Sequence, residues 1–120
     1  MQTVERNNNK KLTLLELVLQ LHGEFRRRLE PIGATPLQAG VILFLHRHGN
    51  STLTDAAASL AVRLPTLSVV MNDLVGKRWV IKRRSVKDTR VVHVRLSRRG
   101  KTLAEKIEQR VRQVNDRLSE

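Results

Sequence analysis

Apolar residues recur at helical spacing near both ends of the chain. Over residues 11–29 they are separated by steps of three and four, the spacing of positions on one face of a helix. A second apolar row lies beside the first, so water can wet only part of this helix. The first row is Leu14, Val18, Leu21, Phe25 and Leu29, and the second is Leu12, Leu15 and Leu19. We therefore predict a first helix whose double row is covered by a partner chain.

The C-terminal segment carries a single apolar stripe. Its members follow one another at steps of four, four, three and four. They are Leu103, Ile107, Val111, Val114 and Leu118. This pattern predicts a final helix with one long apolar face.

Capping residues delimit a second helix. Thr35 is a favourable N-cap, Pro36 suits the first helical position, and Gln38 occupies the third. Gly49 is placed to end the helix. The sequence predicts a helix over residues 36–48.

Two short helices separated by a tight turn come next. Thr54 and Asp55 open an Ala-rich helix that ends near Ala61, and Pro65 begins another after three residues. Helical spacing turns the apolar residues Leu67, Val70, Met71, Leu74 and Val75 inward. It leaves Thr66, Ser68, Val69, Asn72 and Asp73 on the outside. The exposed face of the second short helix is therefore small and largely polar.

Two strand-like runs follow, at residues 79–84 and 91–96, with a loop at residues 85–90 between them. Alternation along the second run places Val92, Val94 and Leu96 on one face and Val91, His93 and Arg95 on the other. The pattern predicts a two-stranded antiparallel ribbon.

Positive charge is concentrated on this ribbon and its flanks. Residues 77–101 hold eleven of the 23 basic residues and one acidic residue, Asp88, a net charge of +10 out of +12. A basic strip without acidic partners repels itself, and a row of phosphates is its natural counter-surface. Nucleic acid is the predicted partner.

Composition narrows the class of protein and of nucleic acid. Three aromatic residues are too few for a platform that stacks single-stranded bases, so a duplex is favoured. The chain has no cysteine, which excludes disulfides and thiol-based redox control. With 120 residues, no apolar run of about 18 and a polar N-terminal segment, we expect one domain, a cytoplasmic location and no membrane partner.

A helix-turn-helix followed at once by a basic ribbon is a winged helix-turn-helix, whose second helix fits the major groove of DNA. The chain resembles, from about residue 12 to residue 118, the MarR (multiple antibiotic resistance regulator) family of bacterial transcription regulators. The most specific match is the wing, with its Asp-x-Arg and Leu-Ser/Thr-x-x-Gly patterns. These patterns are met by Asp88, Arg90, Leu96, Ser97 and Gly100.

A second match lies at the start of the recognition helix, where Pro65, Thr66 and Ser68, with Leu74 six residues later, resemble the family. Arg78 stands where the family usually has glycine. The helix must therefore end without a left-handed residue, or Arg78 must adopt that conformation at some cost.

The resemblance implies a mainly α fold with a small antiparallel β-wing, in a single domain of residues 1–120. It implies a DNA-binding lobe at about residues 35–97 and dimerisation helices at about residues 11–30 and 98–120. A small phenolic or other apolar anion would bind between the two regions and weaken DNA binding. The dimerisation residues expected are Leu12, Leu14, Leu15, Val18, Ile107, Val111, Val114 and Leu118.

The wing chemistry can be argued from the residues themselves. An arginine at a loop tip can enter a narrow minor groove, and a carboxylate two residues away can hold its guanidinium in place. We expect Arg90 and Asp88 to act in this way. The alternative is a surface ion pair without a ligand.

On the recognition helix, hydroxyl and amide groups can meet base edges or phosphates, and Val69 can touch a thymine methyl group. The helix N-terminal amides are available to a phosphate beside Arg63. The alternative is an ordinary solvent-facing surface. The full set of expected DNA-binding residues is Arg63, Pro65, Thr66, Ser68, Val69, Asn72, Lys82, Arg84, Lys87, Asp88 and Arg90.

Other kinds of site have little support. His46 and His48 are two residues apart, so they do not share a helical face, and a solvated helix end explains them better than a metal site. His22 and Glu24 fail the same spacing test. No catalytic set or phosphate-binding glycine loop is visible, so we expect no enzyme activity, no cofactor and no metal.

The sequence thus predicts a homodimeric, sequence-specific regulator that represses transcription by binding a pseudo-palindromic operator. One alternative is a sequence-neutral architectural DNA-binding protein, since most of the charge lies on the wing rather than on the recognition helix. Another is a winged-helix module that binds an acidic protein.

Overall fold

The computed structural model describes residues 13–119, with side chains as far as residue 117. Within this range the chain forms helices and a small antiparallel sheet, as predicted. Leu12 and the side chain of Leu118 lie outside the described part. In chain order the elements are α1 (Leu14–Leu29), a 3₁₀ turn (Glu30–Ile32), α2 (Pro36–His48), β1 (Ser51–Thr52), α3 (Leu53–Leu60), α4 (Leu64–Gly76), β2 (Val80–Arg84), β3 (Val92–Leu96) and α5 (Arg98–Ser119).

Reciprocal capping boxes fix the starts of α1 and α2. In α1, Glu16 N donates to Thr13 Oγ1 at 3.1 Å and Thr13 N donates to Glu16 Oε1 at 3.0 Å. The hydrogen bond from the Thr13 backbone lowers the pKa of the Glu16 carboxyl below its usual range. In α2, Thr35 and Gln38 form the predicted box, and Gly49 ends the helix with a φ of 74°. The described start of α1, Leu14, therefore lies three residues after the predicted one.

The helix-turn-helix pair differs from the prediction at its start. Thr52, not Thr54, caps α3, because its Oγ1 accepts a hydrogen bond from Asp55 N at 3.0 Å. Ser51 and Thr52 also form a short strand that the sequence pattern did not predict. Ala61 ends α3 in the left-handed region, with a φ of 53°. The turn is consequently tight, and α4 begins at Leu64.

The sheet has the order β1-β3-β2 and is antiparallel throughout. In the β2–β3 ribbon, Val80 lies opposite Leu96 and Lys82 lies opposite Val94. Val94 and Leu96 are buried, at 1% and 4% exposure, so the predicted inward face of β3 is confirmed. Each strand begins one residue later than predicted.

One core joins α2, α4, the sheet and α5. Its fully buried side chains include Val41, Ile42, Leu45, Leu67, Met71, Leu74 and Ala104. Burying apolar surface of this kind contributes about 25 cal/mol for each Å² removed from water. The core sets the angle at which α4 and the ribbon are held.

The apolar stripe of α5 is covered largely by its own chain. Ile107 and Val114 are 0% and 1% exposed, because α5 packs along α1 and α2 of its own chain. Arg28 and Gln113 also link α1 to α5, with Arg28 Nη1 donating to Gln113 Oε1 at 3.3 Å. In this single chain the side chains of Ile107 and Val114 are covered from within, Val111 is half-buried, and the expected role of all three in dimerisation stays a prediction. Periodicity predicts an apolar face but does not say which surface covers it.

The first helix behaves differently. Leu14, Leu15, Val18 and Leu19 are between 58% and 67% exposed. This apolar surface is uncovered by the described part of the chain.

No single helix within residues 13–119 is long and apolar enough to cross a membrane. The pair Leu53–Leu60 and Leu64–Gly76, which is bent by 114°, meets the length and composition criteria only as a pair.

Candidate nucleic-acid interface

The N-terminus of α4 has no side-chain cap. Arg63 occupies the N-cap position in an extended conformation, and Pro65 lies in the first turn. The first N–H groups of a helix have no partner within the helix, and here no side chain replaces one. The end of α4 is therefore open to a hydrogen-bond acceptor from outside.

The outward surface of α4 agrees with the helical pattern. Thr66, Val69 and Asn72 are exposed, Val69 at 71%, whereas Ser68 is half-buried. Asp73 is exposed as well, but its Oδ2 accepts a hydrogen bond of 2.9 Å from Gln38 Nε2 of α2. Asp73 thus fastens the helix to the core.

A hydrogen bond joins the recognition helix to the ribbon. Lys82 Nζ on β2 donates to Asn72 Oδ1 on α4 at 2.7 Å. Both residues belong to the predicted DNA-binding set, and the fold brings them into contact although they are ten positions apart. The hydrogen bond fixes one edge of β2 against α4.

The wing loop between β2 and β3 is held by its own hydrogen bonds. Ser85 N donates to Val91 O at 2.8 Å, and Ser85 Oγ accepts from the backbone N–H groups of Lys87 and Asp88. Arg84 Nη1 donates to Thr89 O at 2.9 Å. Arg84 therefore acts on the shape of the loop in this structure, a role that its charge alone did not suggest.

Arg90 and Asp88 form a forked ion pair on this loop. Arg90 Nε donates to Asp88 Oδ1 at 3.1 Å, and Arg90 Nη2 donates to Asp88 Oδ2 at 3.2 Å. The Arg90 side chain is 89% exposed, so the fork holds a guanidinium that points away from the core. Hydrogen bonds from the Arg90 side chain, and then from its backbone N–H, lower the pKa of the Asp88 carboxyl.

Val86 lies at the tip of the same loop and is 99% exposed. The sequence pattern did not single it out. The only feature of the sequence that could have marked Val86 is that it is an apolar residue within a polar loop.

The base of the wing explains the Leu-Ser-x-x-Gly motif. Ser97 Oγ donates to Arg78 O at 2.6 Å and accepts from Gly100 N at 3.1 Å. A Cβ atom at Gly100 would lie 2.1 Å from Trp79 O, which no side chain could tolerate. Arg78 itself has a φ of 64°, so of the two conformations considered from the sequence it adopts the left-handed one. The motif locks the start of α5 against the entry to β2.

A cavity of about 640 Å³ lies where α1, α2 and α4 meet. Arg26 of α1 and Lys77 after α4 contribute positive charge to its wall, and Glu30 and Asp73 contribute carboxylates. Its apolar surface comes from Ala34, Pro36 and Leu37. The cavity therefore offers both apolar contact and cationic groups between the first helix and the DNA-binding lobe.

The histidines at the end of α2 have partners in the fold. His46 Nε2 lies 3.5 Å from Glu108 Oε1 of α5, and the His48 ring stacks on Phe44 at 4.4 Å. Among residues 13–117, no three potential metal-ligating side chains are grouped together.

Comparisons with known proteins place this geometry in a family. A model of the MarR family matches residues 32–91. The chain is 26% identical over 89 residues to the HTH-type transcriptional repressor MdtR of Bacillus subtilis (strain 168), an alignment covering 74% of the chain and 57% of that protein. The chain thus spans little more than half the length of this relative.

Solved structures give the same result. The fold is similar to that of a mutant MarR from E. coli complexed with operator DNA, with a TM-score of 0.79 and 26% identity over 88% of this chain and 76% of the other. It is also similar to NadR in complex with 4-hydroxyphenylacetate, with a TM-score of 0.76 and 25% identity over 88% of this chain and 74% of the other. The winged helix-turn-helix, the wing motif and the family match agree: the chain belongs to the MarR family, which includes a transcriptional repressor and a protein whose structure was solved with operator DNA.

Proposed function

We propose that this chain is a transcriptional repressor that binds a pseudo-palindromic operator as a homodimer and is released by a small-molecule effector. Two copies of α4, about one helical turn of DNA apart, occupy successive major grooves, and the two wings flank them. The bound dimer blocks polymerase sterically. The observation that carries the proposal is the exposed Arg90–Asp88 fork on an ordered loop.

The fork suits the minor groove. A narrow, A·T-rich minor groove has an enhanced negative potential that attracts an inserted arginine. Asp88 occupies two of the five N–H donors of the guanidinium and leaves the others for DNA. Because the loop and the side chain are already ordered, less conformational entropy is lost on binding.

The recognition helix, α4, contacts base edges in the major groove rather than the minor groove. Its outward residues Thr66, Ser68 and Asn72 offer short hydrogen-bonding groups, and Val69 offers a methyl surface for thymine. The uncapped end of α4, with Arg63 and Pro65, receives a backbone phosphate that fixes the register.

The other basic residues of the predicted DNA-binding set have different roles, which follow from their contacts. Lys87 is exposed on the wing loop and is suited to a phosphate. Lys82 is held by Asn72, so it positions the amide of Asn72 as well as adding charge. Arg84 positions the loop through Thr89.

The dimer rests on α1. Leu14, Leu15 and Val18 remain on the proposed dimer surface, joined by Leu19, because this apolar patch is uncovered in the described chain. We assign about residues 11–30 and 98–120 to dimerisation and about residues 35–97 to DNA binding within one domain. Ile107 and Val114 support this surface from behind, through the packing of α5 on α1.

The cavity beside α1 is the proposed effector site. Arg26 and Lys77 suit a carboxylate, and Ala34 and Leu37 suit an apolar ring. The similarity to NadR, whose structure contains 4-hydroxyphenylacetate, supports a phenolic acid as the effector. Since the cavity wall includes residues from α1 and from the C-terminal part of α4, a bound ligand can bias the distance between the dimer helix and the DNA-binding lobe.

A second candidate is sequence-neutral binding to duplex DNA. It is favoured by one observation: the outward face of α4 carries no basic residue between Thr66 and Asp73, whereas residues 77–101 carry a net charge of +10. Such a protein would bind through phosphates alone.

Binding to two duplexes separates these candidates. One duplex is taken from the DNA flanking the protein's own gene, and the other has the same base composition in shuffled order. A specific repressor binds the first at least about a thousandfold more tightly at about 150 mM salt. Equal affinities, with the same steep salt dependence, would support the architectural protein instead.

A further inference from the structure

The ribbon has a second face that the proposed DNA contacts do not use. Ile81 lies opposite Arg95 and Arg83 lies opposite His93 in the β2–β3 register, so these four residues share one side of the sheet. Lys82 lies on the other side, where it contacts Asn72 of α4. We call the face formed by Ile81, Arg83, His93 and Arg95 the outer wing face.

The polar side chains of the outer wing face have no partners in the described structure. Within residues 13–117, the side chains of Arg83, His93 and Arg95 are exposed and form no hydrogen bond or ion pair. By contrast, Lys82, Arg84 and Arg90 each donate to a neighbouring residue. The outer wing face also contains no acidic side chain.

This arrangement costs stability in the isolated chain. Positive side chains that face each other across neighbouring strands repel, directly or along the diagonal. Arg83 and Arg95 are diagonal neighbours on this face. An anionic ligand would relieve the repulsion, and a guanidinium can bind phosphate through two parallel hydrogen bonds.

The face is also concave. Arg83, His93 and Arg95 line a depression of about 330 Å³, together with Asn50 from the connection between α2 and β1. Two guanidinium groups, an imidazole and an amide therefore converge on a space that can hold a phosphate group.

We propose that the outer wing face binds backbone phosphates of the DNA that flanks the operator. The inference rests on the proposed function, in which the wings lie at the two ends of the dimer. Since Arg90 on the wing loop enters the minor groove at the end of the operator, the next phosphates beyond the wing belong to flanking DNA. These contacts lengthen the footprint without reading additional bases.

The test compares a short duplex that ends at the wing contacts with one extended by about ten base pairs on each side. The dissociation constant of each is measured by fluorescence anisotropy over a range of salt concentrations. The double variant Arg83→Gln with Arg95→Gln should bind the extended duplex about tenfold more weakly, and its salt slope should fall by about 0.9 for each phosphate that is no longer neutralised. Binding to the short duplex should stay unchanged.

Arg47→Gln is the control, because it removes an exposed arginine from the end of α2, outside the wing, the proposed dimerisation segments and the proposed set of DNA contacts. It should bind both duplexes as the wild type does, and no variant should melt below the wild type. An equal loss of affinity on both duplexes would place the contacts inside the operator and overturn the inference. Unchanged binding on both would also overturn it and would leave an acidic protein as the partner of this face.

Together with the shuffled-duplex comparison described above, this experiment keeps the two proposals apart. If the wild type fails to prefer the operator at all, the proposed function fails and the inference fails with it. If the wild type binds the operator specifically but gains nothing from the extension, only the inference fails.

Discussion

At the scale of single residues, the fork between Arg90 and Asp88 is the feature on which the proposed DNA recognition depends. The sequence predicted both residues from their spacing, because two positions apart on a loop allow a carboxylate to meet a guanidinium. It could not predict that Arg84 would hold the loop through Thr89 or that Val86 would lie fully exposed at the tip. Those roles depend on the path of the loop backbone, which hydrophobic patterning does not determine.

Replacing Arg90 tests the fork directly. We expect Arg90→Ala to weaken operator binding by about 1–3 kcal/mol, because alanine cannot reach into the minor groove. Arg47→Ala removes the same charge from the end of α2 and should have little effect. The measurement is the dissociation constant for operator DNA at moderate salt, and equal affinities of Arg90→Ala and the wild type would contradict the wing model.

The pKa of Asp88 gives a second test that needs no DNA. Arg90 lowers this pKa in the folded protein relative to the unfolded chain. The carboxylate therefore contributes to stability at any pH above its pKa in the unfolded chain, and this contribution is lost as the pH falls through its lower pKa in the folded protein. The fork should therefore remain formed down to below pH 3.8, the ordinary value for this group. In Arg90→Ala, an NMR titration of the Asp88 carboxyl should give a higher pKa than in the wild type. The same pKa in both proteins would mean that the fork does not form in solution.

At the scale of secondary-structure elements, capping chemistry predicted more than periodicity did. The box of Thr35 and Gln38 and the terminal Gly49 gave the bounds of α2 correctly. The two-residue strand β1 was missed because two residues are too few for an alternating pattern, and its pairing with β3 depends on tertiary contacts. Arg78 adopts the left-handed conformation at a Schellman-type helix end, where Arg78 N donates to Val75 O at 2.9 Å and Trp79 N donates to Leu74 O at 3.0 Å.

Gly100 offers a test at this scale. Gly100→Ala should lower the free energy of unfolding by about 1–3 kcal/mol, because the new Cβ would collide with Trp79 O unless α5 shifts from the ribbon. Gly40→Ala is the control, since a Cβ there meets nothing within 4 Å and alanine favours a helix over glycine. Thermal or denaturant unfolding measures both. If the two variants were equally stable, the close approach at Gly100 would not exist.

At the scale of the whole molecule, the sequence predicted the winged helix-turn-helix but not how its apolar faces are used. The apolar stripes of α5 and α1 look alike in the sequence but differ in the structure. Ile107 and Val114 on α5 are buried by their own chain, whereas Leu14 and Leu15 on α1 are exposed. The difference arises because α5 lies against both α1 and α2, which cover its stripe. Only three-dimensional packing distinguishes an internal stripe from an interface.

The exposed patch on α1 makes the assembly testable. Leu14→Asp should convert the proposed dimer to a monomer and abolish operator binding, because a desolvated carboxylate in the proposed apolar interface is costly. Val86→Asp places the same charge on an exposed residue of the wing tip and should leave the mass unchanged. Sedimentation velocity or light scattering measures both masses. If the Leu14→Asp variant were still a dimer, the interface would have to lie elsewhere than on this patch.

Hydroxyl-radical footprinting of the DNA that flanks the protein's own gene tests the central claim most directly, because the radical attacks the minor groove where the wings are proposed to lie. At about 150 mM salt, where non-specific phosphate contacts are weakened, we predict a protected pseudo-palindrome with one minor-groove protection at each end. Arg90→Ala should lose the two end protections first. Uniform protection along the DNA, or end protections that Arg90→Ala leaves intact, would contradict the account of a wing-reading dimeric repressor.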